Sequence, residues 1–151
     1  MSKLGHAIAI AATSHKDLRD KGGNAYILHP IRIMMRLRTS DEDLMIMAIM
    51  HDVIEDDPEW TLERLKEEGF SQRVIDGLRV LTHLKEDSYE DYIRKVGTNA
   101  DAIRVKLEDL RDNSDLSRLK GITQKDFDRV IKYQKAYTYL KGVQKLLENL
   151  S

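Results

Sequence analysis

From Leu44 to Met50 the chain reads Leu-Met-Ile-Met-Ala-Ile-Met, a run without one polar side chain. Ser40 stands ahead of it as an N-cap, and Asp41, Glu42 and Asp43 put carboxylates at the positive end of the helix that follows. A helix with no polar face is buried on every side. The run therefore predicts a central helix around which the remaining elements must pack. Four polar residues follow almost at once: His51, Asp52, Glu55 and Asp56.

The rest of the sequence supplies helices and little else. Leu, Ile, Met, Ala, Lys, Glu and Arg dominate, all good helix formers, and only Pro30 and Pro58 interrupt them. The patterning predicts about seven helices. The first runs from Lys3 to Leu18, and the loop Asp20 to Asn24 leads to a short helix opening near Pro30, where proline is tolerated in the first turn. Beyond Asp57-Pro58 come two short helices separated by Gly69-Phe70. Ser88 with Asp91 marks a helix start, Asn99 opens a helix through Asp109 to about Asn113, and Thr123 with Asp126 opens a long last helix reaching about Leu150. With no repeat, low-complexity segment or linker, the expectation is one all-α domain over residues 1–151.

Composition removes several function classes. Lys plus Arg number 25 against 26 Asp plus Glu, a net charge of -1, so no global field favours nucleic acid or an anionic membrane. The absence of cysteine excludes disulfides, zinc-thiolate sites and thiol catalysis. The apolar stretch Ala7 to Ala12 is too short to span a bilayer and lacks the layout of a signal peptide, which reads as a cytoplasmic soluble protein. Oligomeric state is not legible, and a homo-oligomer is compatible with the sequence.

The chemistry concentrates beside the apolar run. If its helix continues, Glu55 and Asp56 lie one turn beyond His51 and Asp52, so an imidazole and three carboxylates converge. No Lys or Arg occurs between Leu44 and Trp60 to neutralise them, whereas a divalent cation would. Further candidate ligands are His29, just before Pro30, and Asp109, with Asn113 one turn beyond it. Two imidazoles and two carboxylates suit Mn, Fe, Co, Ni or Zn rather than Ca. Taken alone, His29 reads equally as a capping or core histidine.

Three ordered segments, His29-Pro30, His51-Asp52-x-x-Glu55-Asp56 and Lys106-Leu107-x-Asp109-x-x-x-Asn113, resemble the hydrolase domain of RelA/SpoT-type alarmone hydrolases of the HD superfamily, including small single-domain forms. The stretch Asn24 to Pro30 resembles their Tyr-containing segment before the His-Pro pair, and the likeness extends over roughly residues 6 to 140. It implies a compact HD-domain helical bundle with His29, His51, Asp52 and Asp109 as ligands of one divalent ion, usually Mn²⁺. It also implies Glu55 and Asp56 as the pair that positions and activates the attacking water, and Asn113 as a lining residue of a nucleotide pocket. The implied reaction removes the 3′-pyrophosphate of guanosine tetra- or pentaphosphate. In the loop before His-Pro the family carries an Arg-Lys pair; here Lys21 takes the lysine position, Asp20 the arginine position, and Arg19 is shifted by one. After Asp109, Leu110-Arg111 replaces the usual Arg-Leu order.

Two other readings stand beside this one: an HD hydrolase of another nucleotide or phosphoester, and a non-catalytic nucleotide sensor. In each the partner is a small-molecule nucleotide. Lys21, Arg19, Arg111 and Arg118 are candidate phosphate contacts, Lys21 foremost. His15 aligns with a histidine of the family's first helix and reads as a pocket residue or a packing one. His6 and His83 read as surface or helix-end residues, the methionines as core, and Tyr133, Tyr137 and Tyr139 as helix-packing residues.

Overall fold

The computed structural model describes residues 2–151; Met1, the first residue of the expected domain, lies outside them. The described residues form α1 (Lys3–Ser14), α2 (Leu28–Arg36), α3 (Glu42–Met50), α4 (Val53–Asp56), α5 (Leu62–Glu67), α6 (Gln72–Leu81), α7 (Tyr89–Val96), α8 (Ala100–Asn113) and α9 (Gln124–Leu150), with a 3-10 turn at Leu116–Arg118 before α9. The only β pairing among them is a single antiparallel bridge between Arg19 and Ala25. The all-α expectation holds, and among the described residues no helix is long and apolar enough to cross a membrane.

The apolar run is buried at every position but Met45, which is half-buried. Leu44, Ile46, Met47, Ala48, Ile49 and Met50 are all buried, and α3 packs against α1, α2, α6 and α8. Gly77 of α6 lets that helix lie close, since a Cβ there would stand 2.4 Å from Met47 Sδ. The N-cap is Asp41 rather than Ser40: its carboxylate accepts from Leu44 N at 3.3 Å. Asp41 also accepts from Arg73, which reaches Asp101 as well, so one guanidinium ties the starts of α3, α6 and α8 together.

Two boundaries differ from the sequence expectation. The first helix ends at Ser14, not Leu18, because the chain turns at His15 to form the Arg19–Ala25 bridge. α3 stops at Met50 and α4 begins only at Val53, with Asp52 at φ −103°, ψ −5° between them. His51 and Asp52 thus sit in a turn, and Glu55 and Asp56 on a separate short helix. The caps at Ser88 and Asn99 and the capping box of Thr123 with Asp126 form as expected.

Truncation inside α3 should be felt far more than on an exposed face. Ile49→Ala is expected to lower stability by about 2–5 kcal/mol. Met35→Ala, at a side chain 65% exposed, should stay within about 0.5 kcal/mol. Urea unfolding followed by circular dichroism checks this; equal midpoints would contradict the central position of α3.

Candidate metal centre and adjoining pocket

The turn after α3, the first turn of α2 and the last turns of α8 meet at one point. His29, His51 and Asp52 each offer a ligand atom, all within 4.8 Å of one another. Asp109 Oδ1 stands 2.9 Å from His29 Nε2 and 3.3 Å from His51 Nε2, and Asp52 Oδ2 lies 3.0 Å from His51 Nε2. The four candidate ligands read from the sequence are therefore together. His29, His51 and Asp109 are each 3% exposed, so the cluster lies in the protein interior.

The tautomers follow from the partners. His51 Nδ1 is 2.8 Å from the Ala48 carbonyl, which can only accept, so Nδ1 carries the proton. Its Nε2 is buried and makes no hydrogen bond, despite the nearby carboxylates. In the neutral ring the lone pair is therefore on Nε2 and aimed into the cluster, where a cation can take the place that a proton holds in the metal-free protein. Asp109 divides its oxygens: Oδ2 accepts from buried Lys106 at 2.7 Å, while Oδ1 faces the imidazoles and accepts from Asn113 Nδ2 at 3.0 Å. Tyr26 donates its hydroxyl to Asp52 Oδ2 at 2.5 Å. Two imidazole nitrogens and two carboxylate oxygens form a mixed donor set that suits a first-row transition ion.

Electrostatics without an ion follow from this crowding. Burial pulls the His51 pKa down, but Asp52 and Asp109 more than offset it and hold it well above the ordinary imidazole range. His29 is likewise depressed by burial and raised overall by Asp109 and Asp112. Burial pushes Asp109 up, yet Lys106 and the two histidines bring it well below the carboxylate range.

Glu55 and Asp56 do not join the cluster directly. Glu55 Oε1 accepts from His83 N at 2.6 Å, leaving Oε2 open; loss of surrounding water raises its pKa against the pull of that hydrogen bond. Asp56 Oδ2 lies 3.3 Å from Nε2 of His15, a buried histidine with no hydrogen bond at either ring nitrogen. His15 is thus interior and packs on the Tyr26 ring at 5.1 Å.

A cavity of about 320 Å³ adjoins the cluster, and Tyr26 and Asn113 belong to both. Arg19, Lys21 and Asn113 all line it, as do Arg118, Arg129 and Tyr133, together with three carboxylates, Asp20, Asp115 and Asp126, the last paired with Arg129. Lys21 is lowered by burial and by the like charge of Arg129. Asp20 is turned back into its own loop, where Oδ1 accepts from Gly22 N and Asn24 N, both at 2.9 Å. Gly22 is required there, since a Cβ would stand 2.5 Å from the Arg118 carbonyl oxygen. Arg111 is elsewhere, held by Tyr137 and Glu108 beside Arg36 and Arg38. Arg118 is engaged with Asp112 and Asp115.

Sequence reasoning missed Arg129, assigned Tyr133 to packing alone, and passed over Asp112. No local pattern marks Arg129, because α9 meets the cavity only in the folded chain. Asp112 sits three residues after Asp109 beside Asn113, and nothing in its type or spacing sets it apart from the other carboxylates of α8. It is fully buried.

No family model matches the sequence. Among curated proteins, the guanosine-3′,5′-bis(diphosphate) 3′-pyrophosphohydrolase of Haemophilus influenzae is 33% identical over 131 residues, taking in 81% of this chain and 19% of that protein. The chain is homologous to a segment of such pyrophosphohydrolases. The Aquifex aeolicus protein of the same name is 29% identical over 120 residues, covering 75% of this chain and 17% of its own. The bifunctional (p)ppGpp synthase/hydrolase SpoT of Escherichia coli is 27% identical over 140 residues, covering 87% and 20%. The chain spans about a fifth of the length of these relatives.

The pKa directions set a pH window for the metal-free protein. The histidines, raised in the fold, contribute stability that is full below their ordinary pKa of about 6.5 and lost as pH rises through the raised values. The lowered Asp109 contributes above about pH 4 and loses that contribution as pH falls through its depressed value. Thermal unfolding in chelator should therefore be highest between about pH 4 and 6.5 and fall toward pH 9. A melting temperature that climbs over that alkaline range would refute it.

Proposed function

We propose that the chain is a divalent-metal-dependent phosphohydrolase that removes the 3′-pyrophosphate of guanosine tetra- or pentaphosphate, with one Mn²⁺ held by His29, His51, Asp52 and Asp109. The observation that carries this reading is the convergence of the buried His29 and His51 nitrogens with the Asp52 and Asp109 carboxylates, beside a cavity whose wall carries Arg19, Lys21, Arg118 and Arg129 among three aspartates. The names of the relatives support the substrate class. When bound, the ion supplies Lewis acidity, which acidifies water and polarises phosphoryl oxygens near neutral pH.

The chain's own residues do the rest. Arg19, Lys21 and Arg129 offer positive charge to a polyanion, with Asn113 at the junction of cavity and cluster. Tyr26 and Lys106 hold Asp52 and Asp109 in place through their hydrogen bonds. Glu55 and Asp56 take up the proton of the attacking water, Glu55 through its open Oε2. The water oxygen bonds to the phosphorus attached to the 3′-oxygen as that P–O bond breaks, and the proton taken up by the carboxylate passes to the departing 3′-oxygen, giving the 3′-hydroxyl of GDP or GTP and free pyrophosphate.

Elemental analysis of purified protein is expected to find about one transition ion per chain, lost in His51→Ala and Asp109→Ala but retained in Glu55→Gln. Glu55→Gln should lose about 100- to 10,000-fold in turnover. Equal metal in wild type and both ligand variants would remove the ligand assignment. Substrate assignment rests on steady-state hydrolysis of guanosine tetraphosphate beside GTP, dATP and a deoxynucleoside monophosphate. The alarmone should be preferred, and Lys21→Ala should reduce kcat/KM by about one to two orders of magnitude, mainly through KM. Preference for another compound would make this a different nucleotide hydrolase. Metal binding without turnover of any would leave a sensor.

A further inference from the structure

Behind His29 lies a charge cluster that neither the reaction nor the relatives' names account for. Asp112 has no solvent exposure, yet its carboxylate is met from every side. Oδ1 accepts from Arg32 Nε at 2.8 Å and from Arg36 Nη1 at 3.0 Å. Oδ2 accepts from Arg32 Nη2 at 2.9 Å, and Arg118 Nη2 lies 3.4 Å away while donating to the Asp112 carbonyl at 2.8 Å. The remaining contact is His29 Nδ1, 2.6 Å from Oδ2.

This arrangement fixes a proton. Three guanidiniums donate around one carboxylate, so Asp112 is ionised and has no hydrogen to give. At 2.6 Å its partner His29 Nδ1 must therefore be the donor. With Nδ1 committed to Asp112, the other nitrogen, Nε2, is the one that faces Asp109 Oδ1 at 2.9 Å, Asp52 and His51; it donates there in the metal-free protein, and its lone pair would meet an ion that displaces that proton. His51 reaches the same state through a backbone carbonyl; His29 reaches it through a buried anion from α8.

We propose that Asp112 is a positioning residue that locks His29 in the Nδ1–H tautomer and aims its Nε2 at the metal, braced by Arg32, Arg36 and Arg118. The inference rests on the proposed reading of His29 as a ligand. Its physical basis is general: a ligating imidazole is oriented, and made more basic, by a carboxylate on its other nitrogen. Arg118 also lines the cavity, so the brace that holds Asp112 is itself part of the pocket wall.

The test is titration of the full metal-free chain with Mn²⁺ against a competing fluorescent chelator. Binding by wild type, abolished in His51→Ala and Asp109→Ala, tests the ligand reading first. If wild type binds no Mn²⁺, or both variants bind as well as it does, that reading fails and this inference goes with it. With that reading in place, Asp112→Asn should bind Mn²⁺ about 10- to 100-fold more weakly. In the Zn²⁺-loaded protein, ¹⁵N–¹H correlation should show His29 protonated at Nδ1 in wild type and a mixed or weakened Nδ1–H signal in Asp112→Asn, which a purely structural role would not produce. Unchanged affinity and tautomer in a folded Asp112→Asn would overturn the assignment. Should that variant not fold, Arg32→Gln keeps the carboxylate but removes its two-pronged donor. It should weaken Mn²⁺ several-fold, and wild-type affinity there would overturn the assignment equally.

Discussion

The structure depends on the pairing of charge buried at the end of α3. His29, His51, Asp109 and Asp112 are nearly or wholly out of solvent, and each would cost several kcal/mol if left unpaired. Compensation comes from four segments at once: imidazoles from α2 and the turn after α3, carboxylates and Lys106 from α8, and guanidiniums from α2 and the turn before α9. Because each of these groups needs the others, the cluster fixes how α2, α3 and α8 meet. The apolar packing of α3 supplies the driving force, being non-directional, while the polar cluster supplies the register.

The way individual atoms are committed separates the candidate ligands from the groups that support them. Asp109 gives one oxygen to Lys106 and turns the other inward. His51 gives Nδ1 to a carbonyl and keeps Nε2 bare. Asp112, only three residues from Asp109, has both oxygens taken by arginines and His29, so it has nothing left to offer an ion. An ordinary buried ion-pair network would close every lone pair. Here two imidazole nitrogens and the inward oxygens of Asp52 and Asp109 converge on one point, where an ion can take the place of the imidazole protons.

The pocket beside the cluster is built on a different principle. Its loop is held locally, by Asp20 accepting from two backbone amides and by the close approach of Gly22 to the Arg118 carbonyl. Its far wall is α9, which carries Arg129 and Tyr133 over a long sequence separation. Of the three aspartates on its wall, Asp20 is occupied as a turn-maker, Asp115 is paired with Arg118 and Asp126 with Arg129, so their charge is offset locally while Arg19 and Lys21 also line the cavity.

Much of this was legible in the residues. Seven apolar positions in a row leave a helix no surface to face, so the burial of α3 follows from composition and periodicity alone. Adjacent side chains such as His51 and Asp52 are close by covalent connection, and capping residues act within a turn, which is why Ser88, Asn99 and Thr123 mark helix starts correctly. The break of α3 after Met50 was not legible, since a one-residue change in ψ at Asp52 leaves no signature in side-chain type. Nor was the partnership of His29 with Asp112, or the arrival of Arg129 at the pocket. A hydrogen bond needs its partner within about 3 Å along a defined direction. For groups some 80 residues apart, only the packing of α2 against α8 decides that.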